Sequence, residues 1–191
     1  ISACLVGSEM CIRDRHRSVG RQAVRESVVV LKDDNILPLS KDLQTLVVAG
    51  KGADNLGMQC GGWSIEWQGG QGDITVGTTI LDGIKKTVSE STEIIYSEDG
   101  SDVVPNPDNI AVVVIGEDPY TEWFGDKENL DLNNDDISLI KSLKDKGFKV
   151  AVLLISGRPL NVADHIDQWD AFAAIWLPGT EGDGVSDILF G

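Results

Sequence analysis

The stretch that decides the fold runs from residue 110 to residue 155: IAVVVIGEDPYTEWFGDKENLDLNNDDISLIKSLKDKGFKVAVLLI. It begins and ends with a near-continuous apolar run, Ile110–Ile115 and Val150–Ile155, which is typical of a strand covered on both faces. Between the runs, Asp135–Lys146 predicts a helix, because it follows two Asn cap candidates, opens with acidic residues and ends with lysines. A strand, a helix and a strand in this order predict a unit of parallel sheet.

The same alternation extends toward both ends of the chain. Three further apolar runs predict strands: Leu46–Ala49, Ile94–Tyr96 and Ala171–Trp176. Three further stretches predict helices: 16–32, Thr79–Val88 and a last one from near Gly182 to Leu189. We therefore predict an α/β fold, a mostly parallel, doubly wound sheet of about five or six strands with helices on both faces.

Residues 1–15, ISACLVGSEMCIRDR, stand apart from this pattern because they have no amphipathic period and no signal-peptide order. They resemble the translated read-through of a sequencing adapter, so we expect a non-native or disordered N-terminal segment. The predicted domain is residues 16–191. Within it Cys60 is the only thiol, so an internal disulfide is not possible.

Composition excludes several classes of protein. The chain has 191 residues, the length of one domain, and its 16 basic and 31 acidic residues give a net charge of −15. Such an acidic surface repels phosphate backbones and anionic lipids, and no apolar run has the length of a membrane span. Two His and three Cys offer no ordinary zinc-ligand spacing. We expect no nucleic-acid partner, no membrane insertion and no metal.

The loops that follow the predicted strands carry the polar chemistry. In an open parallel sheet these loops meet at one edge, where ligands bind. We expect Trp63 and Trp67, in a Gly-rich loop, to be exposed there, and Trp176, inside a strand, to pack in the core. Aromatic faces mixed with carboxylates suit sugars, and the residues expected at this edge are Trp63, Trp67, Tyr120, Trp123, Asp54, Glu66, Glu117, Asp118, Glu122, Asp126, Arg158 and Glu181.

Two other kinds of site fit the residues poorly. A dinucleotide fingerprint after Ala49 lacks its third glycine, because position 55 is Asn. A Ser-His-Asp hydrolase lacks the nucleophile motif around Ser156. Carboxylates remain, and glycoside hydrolysis uses two of them. Glu117 and Glu122 flank the same bend, and the residues alone do not choose between them.

Four segments resemble, in order and at matching spacing, the second domain of glycoside hydrolase family 3, in the subgroup of β-glucosidases and exo-acting β-glucan glucohydrolases. They are ADNLGMQCGGWSIEWQGGQGDITVGTTIL, GEDPYTEWFGD, ISGRPL and AIWLPGTEGDGVSDILFG. The resemblance covers residues 16–191. It implies a retaining mechanism in which Glu122 is the general acid/base, Trp67 stacks on the leaving-group sugar with Trp63 close by, and Glu117, Asp118 and Asp126 shape the loop.

The resemblance also implies what the chain works with. The substrate is a β-glucoside or β-glucan oligosaccharide, no cofactor is needed, and the nucleophilic Asp lies on a preceding (β/α)8 barrel domain. We therefore expect a gene fragment, truncated at its C-terminus, that is inactive by itself. The resemblance favours a periplasmic or secreted location. The alternative is a non-catalytic carbohydrate-binding α/β module, which would bind saccharides without a barrel.

Overall fold

A single six-stranded sheet forms the centre of the molecule. The computed structural model describes residues 2–191, with side chains from Arg13 onward. The strand order is β1-β6-β5-β4-β2-β3, and all neighbours are parallel except β1, which pairs antiparallel with β6. The strands are β1 Val29–Asp33, β2 Thr45–Ala49, β3 Glu93–Ser97, β4 Ile110–Gly116, β5 Lys149–Ile155 and β6 Ala171–Trp176. The predicted doubly wound α/β fold is confirmed.

Helices cover both faces of this sheet. They are α1 Ser2–Ser27, α2 Leu56–Cys60, α3 Ile80–Thr87, α4 Asn134–Asp145 and α5 Gly182–Phe190. Apolar side chains of α1, α3 and α5 form one core with one face of the central strands, and those of α4 form a second core on the other face. Within the described part of the chain, no helix combines the length and the apolarity that crossing a bilayer requires.

The structure differs from the prediction at two elements and at one tryptophan. The predicted helix 16–32 is wrong after Ser27, because residues 29–33 form the edge strand β1. A short helix, α2, lies between β2 and the Gly-rich loop, and it is absent from the predicted helices. Trp176 is only half-buried, although we predicted it in the core, and its indole N–H donates to the carbonyl of Ser27.

The prediction of a non-native or disordered segment over residues 1–15 stays a prediction. Most of that segment, residues 1–12, lies outside the part of the chain whose side chains the structure describes.

The strand order locates the position in the sheet where a ligand crevice is expected. Strand β2 pairs with β3 on one side and with β4 on the other, so the chain changes direction across the sheet at β2. In doubly wound sheets the crevice opens at this reversal, outside the carboxyl ends of the two strands. The loops after β2 and β4 flank that crevice.

Candidate active site

Two loops form the candidate site. The aromatic loop, residues 61–70, follows α2, and the 117–126 loop follows β4 directly. Non-glycine residues with positive φ occur in both: Trp63 at 61°, Ile65 at 65° and Glu122 at 48°. Such backbone conformations carry a cost and concentrate at functional sites, where surrounding structure enforces them.

Four aromatic rings from the two loops form a surface cluster. The ring centroid of Trp67 lies 6.3 Å from that of Trp63, 5.5 Å from that of Trp123 and 6.1 Å from that of Phe124. Trp63 is 69% exposed and Trp67 43% exposed, which confirms their predicted positions at the edge of the domain. Contiguous exposed rings of this kind mark a surface that binds a ligand or a partner.

The two loops are joined directly. The side-chain oxygen of Gln68 accepts a hydrogen bond from the backbone N–H of Thr121 at 3.0 Å, one residue before Glu122. Gly62 packs so closely on the 117–126 loop that a Cβ there would lie 2.2 Å from the carbonyl oxygen of Tyr120. The aromatic loop and the 117–126 loop therefore form one unit. The role of Gln68 was missed in the sequence, because an isolated Gln in a Gly-rich loop carries no pattern.

Glu122 begins a 3-10 turn that ends at Gly125. Its side chain is exposed, and among residues 13–191 it forms no ion pair or hydrogen bond. Thr121, immediately before it, is buried, and its side chain makes no hydrogen bond that caps the turn. Glu122 thus offers an uncommitted carboxylate beside the aromatic cluster.

Glu117 has the opposite environment. Its side chain is 6% exposed and pairs with Arg158 at 2.7 Å and with Lys127 at 3.3 Å. The Tyr120 hydroxyl donates to its second oxygen at 3.2 Å. The hydrogen bond to Glu117 raises the pKa of Arg158, and burial, followed by the Glu117 charge, raises the pKa of Tyr120. Glu117 is therefore committed to holding the loop.

The other predicted carboxylates divide into partnered and free ones. Asp118 is exposed and lies 3.3 Å from the Lys51 ammonium. Glu181 is buried and pairs with Arg17 at 3.1 Å, at the contact of α1 with the loop before α5. Asp54 accepts a hydrogen bond from Thr79. Glu66 and Asp126 are exposed.

Two cavities flank the 117–126 loop. One of about 190 Å³ lies between this loop and the start of the aromatic loop, and its lining includes Trp63 and Tyr120. A more polar one of about 280 Å³ lies on the other side, and its lining includes Phe124 and the buried Asp136. Burial raises the pKa of Asp136. No group of three or more His, Cys, Asp or Glu with metal-binding geometry occurs among the described residues.

An α/β sandwich whose sheet reversal presents exposed rings beside an uncommitted carboxylate has the features of a domain that binds a ligand at this edge. Residues 28–191 match the glycosyl hydrolase family 3 C-terminal domain, and the chain belongs to that family.

Several known proteins are similar to this chain. The lysosomal beta glucosidase of Dictyostelium discoideum is 29% identical over an alignment of 211 residues, gaps included. The alignment covers 100% of this chain and 26% of that protein. The periplasmic beta-glucosidase of Salmonella typhimurium is 28% identical over 211 residues, which cover 92% of this chain and 27% of that protein. The chain thus spans about a quarter of the length of these relatives.

Solved structures agree with this assignment. The exo-1,3/1,4-beta-glucanase of a Pseudoalteromonas species superposes with a TM-score of 0.84 at 43% identity, covering 92% of this chain and 22% of that one. The beta-glucosidase of Listeria innocua, solved with gluconolactone, gives a TM-score of 0.75 at 26% identity, covering 93% of this chain and 25% of that one.

Proposed function

We propose that this domain forms part of a retaining, exo-acting β-glucosidase or β-glucan glucohydrolase, to which it supplies the general acid/base Glu122 and the leaving-group contacts Trp67 and Trp63. The observation that carries the proposal is the contrast between the two loop glutamates. Glu122 is exposed and unpaired among the described residues, whereas the Glu117 side chain is 6% exposed and forms two ion pairs. Family membership and the relatives' names support the reaction type.

The proposed mechanism has two steps. First, a carboxylate from another domain attacks the anomeric carbon, and Glu122 gives its proton to the departing glycosidic oxygen. A covalent glucosyl-enzyme forms and the shortened glucan leaves. Glu122, now ionised, takes a proton from water, which attacks the anomeric carbon and releases β-glucose. The nucleophile belongs to the barrel domain that we propose precedes this chain.

The aromatic cluster suits the leaving-group side of such a site. The C–H face of a glucosyl unit packs on an indole ring, and the neighbouring carboxylates accept hydrogen bonds from its hydroxyls. Trp67 is supported from the side by Trp123 and Phe124 and keeps an exposed face. Trp63 lies at the outer border of the cluster, where it extends the contact surface.

The test is Glu122→Gln in the full-length protein that carries this domain. Gln keeps the shape of the side chain but has no proton to give, so hydrolysis of laminaribiose should fall by about 10²–10⁴-fold. Dinitrophenyl β-glucoside, whose leaving group needs no protonation, should still form the glucosyl-enzyme and then stall. Azide, which needs no general base, should restore turnover and give β-glucosyl azide.

Two variants serve as controls for this test. Glu117→Gln should give no glucosyl azide, because the Glu122 carboxylate is still in place. Glu128→Gln removes another exposed carboxylate close to the same loop and should leave hydrolysis unchanged. Azide rescue in Glu117→Gln together with its absence in Glu122→Gln would contradict the assignment.

A further inference from the structure

The 117–126 loop leaves β4 and carries Glu122 near its middle, with an exposed side chain. General acid catalysis requires the donor to lie within hydrogen-bond reach of the glycosidic oxygen, and an error of about 1 Å can cost 10²-fold in rate. Because Glu122 lies well beyond the end of the strand, the sheet itself does not set the direction of its side chain. The loop must therefore be fixed by contacts from outside.

Arg158 supplies such contacts at three points along the loop. Its guanidinium binds the Glu117 carboxylate at the start of the loop, with Nη2 2.7 Å from Oε1. Its Nη1 donates to the carbonyl oxygen of Gly125 at the end of the loop, at 2.5 Å. Its central carbon lies 4.5 Å from the ring centroid of Tyr120, between those two points.

Arg158 is itself held on the sheet. It lies three residues beyond the end of β5, and the Ser156 hydroxyl donates to its carbonyl oxygen at 2.8 Å. Ser156 is buried, and its backbone N–H donates to the carbonyl of Trp176. The backbone of Arg158 is thus fixed relative to the neighbouring strands β5 and β6.

The chemistry of these contacts favours Arg over Lys. A planar guanidinium donates in several fixed directions and stacks on an aromatic face, whereas an ammonium offers a single centre. The loop also folds tightly on this support, because a Cβ on Gly125 would lie 2.3 Å from the Tyr120 ring. Lys127 pairs with Glu117 as well, but it follows the last residue of the loop and its side chain is 52% exposed.

We propose that Arg158 is a positioning residue for Glu122: by binding Glu117, Tyr120 and Gly125 together, it fixes the loop so that Glu122 faces the glycosidic oxygen. The inference rests on the proposed function, since it needs Glu122 to be the acid/base. Arg158 contacts no substrate in this scheme and acts only through the loop.

The test compares two substrates in the full-length protein with Arg158→Met. Laminaribiose needs protonation of its leaving group, so its kcat/KM should fall by about 10- to 100-fold. Dinitrophenyl β-glucoside needs no such protonation. Its rate of glucosyl-enzyme formation should therefore change less than about 3-fold. Rates are expressed per competent site, counted by trapping with dinitrophenyl 2-deoxy-2-fluoro-β-glucoside. A smaller folded fraction in a variant therefore does not change the rates that are compared.

Two further variants sharpen the result. Lys127→Met removes the other ion pair of Glu117 and leaves the contact with Gly125 intact. In this variant the ratio of the laminaribiose rate to the dinitrophenyl β-glucoside rate should equal that of the unmodified protein. Arg158→Lys, which preserves a charge, replaces Arg158→Met if that variant yields too few competent sites to count. It should show the same selective loss of laminaribiose hydrolysis, but a smaller one. Equal losses on both substrates per competent site, or no loss on either, would overturn the inference.

Failure of the inference differs from failure of the proposed function. If Glu122→Gln gives azide rescue but Arg158→Met affects both substrates equally, Glu122 is the acid/base and Arg158 has only a structural role. If Glu122→Gln gives no azide product, the proposed function itself fails. Arg158→Met should give no glucosyl azide in either case, because it leaves the Glu122 carboxylate in place.

Discussion

Trp67 occupies the centre of the aromatic cluster, with Trp123 and Phe124 packed edge-on against it. A ring held in this way needs little further ordering when a sugar binds to its exposed face. We predict that Trp67→Ala weakens transition-state binding of laminaribiose and longer glucans by about 1–2 kcal/mol. Small aryl β-glucosides lack the stacked sugar, so their loss should be smaller. The measurement is kcat/KM for both substrates in the full-length protein.

Ile65→Ala is the matched control for Trp67→Ala. Ile65 belongs to the same loop, is exposed and has a left-handed backbone. Its truncation should change both substrates alike. If Trp67→Ala also affects both substrates alike, the ring stabilises the loop and does not bind the leaving-group sugar.

How far sequence reasoning reaches at a single residue depends on whether its partners are local. Exposure of Trp63 and Trp67 could be predicted, because a Gly-rich loop after a strand has no core to enter. The choice between Glu117 and Glu122 could not be made from residue types. What separates their environments is Arg158, 41 residues beyond Glu117 in sequence and brought to it by the pairing of β4 with β5.

An ion pair joins helices α1 and α5. Arg21 binds Asp187 through two hydrogen bonds of 2.6 and 2.7 Å, and the hydrogen bond from Arg21 lowers the pKa of Asp187 below its ordinary value. Because the folded-state pKa is lower than the unfolded one, about 3.9, the stabilisation is complete above that value and is lost as the pH falls through the folded pKa.

We therefore predict that Asp187→Asn lowers the free energy of unfolding by about 0.5–1 kcal/mol at pH 7, since the pair is partly exposed to solvent. The difference from the unmodified chain should shrink steadily as the pH drops below about 4. Urea unfolding at a series of pH values measures it, with Asp164→Asn, an exposed loop carboxylate, as the control. If the difference in the free energy of unfolding stays constant with pH, the effect comes from altered packing or hydrogen bonding and not from the lost charge.

Elements with a long, unambiguous apolar pattern could be predicted, and those with an ambiguous or very short pattern could not. Strands β4 and β5 are continuous apolar runs in which nearly every position is buried. Strand β1 was predicted as helix because Val28 and Leu31 continue the spacing of Val19 and Val24. Only its pairing with β6 makes residues 29–33 a strand. Helix α2 has five residues, too few to show a period.

The whole chain carries one half of the proposed chemistry, because a retaining mechanism needs two carboxyl groups about 5 Å apart and we assign only one of them to this domain. We predict that the purified 191-residue chain does not hydrolyse aryl β-glucosides. The assay is release of nitrophenol, with the identically purified Glu122→Gln chain as a blank for contaminating enzyme. Hydrolysis above that blank would contradict a site shared between domains.

The same preparation distinguishes the domain from a carbohydrate-binding module. A binding module would hold laminarin oligosaccharides by itself, whereas a site completed by another domain should hold them weakly. Calorimetric titration of the isolated chain measures this directly. Saccharide binding at micromolar concentration without hydrolysis would favour the module.

The hydrogen bond from Thr121 to Gln68 bears on protein engineering. Leaving-group preference is commonly altered by replacing a loop with that of a homologue. Here, an incoming aromatic loop without Gln at position 68 would leave the buried Thr121 N–H without its acceptor, and any residue larger than Gly at position 62 would collide with Tyr120. We therefore expect grafts that move residues 61–70 and 117–126 together to preserve the contact between the loops, whereas a graft of the aromatic loop alone preserves it only when it supplies Gln at position 68 and Gly at position 62.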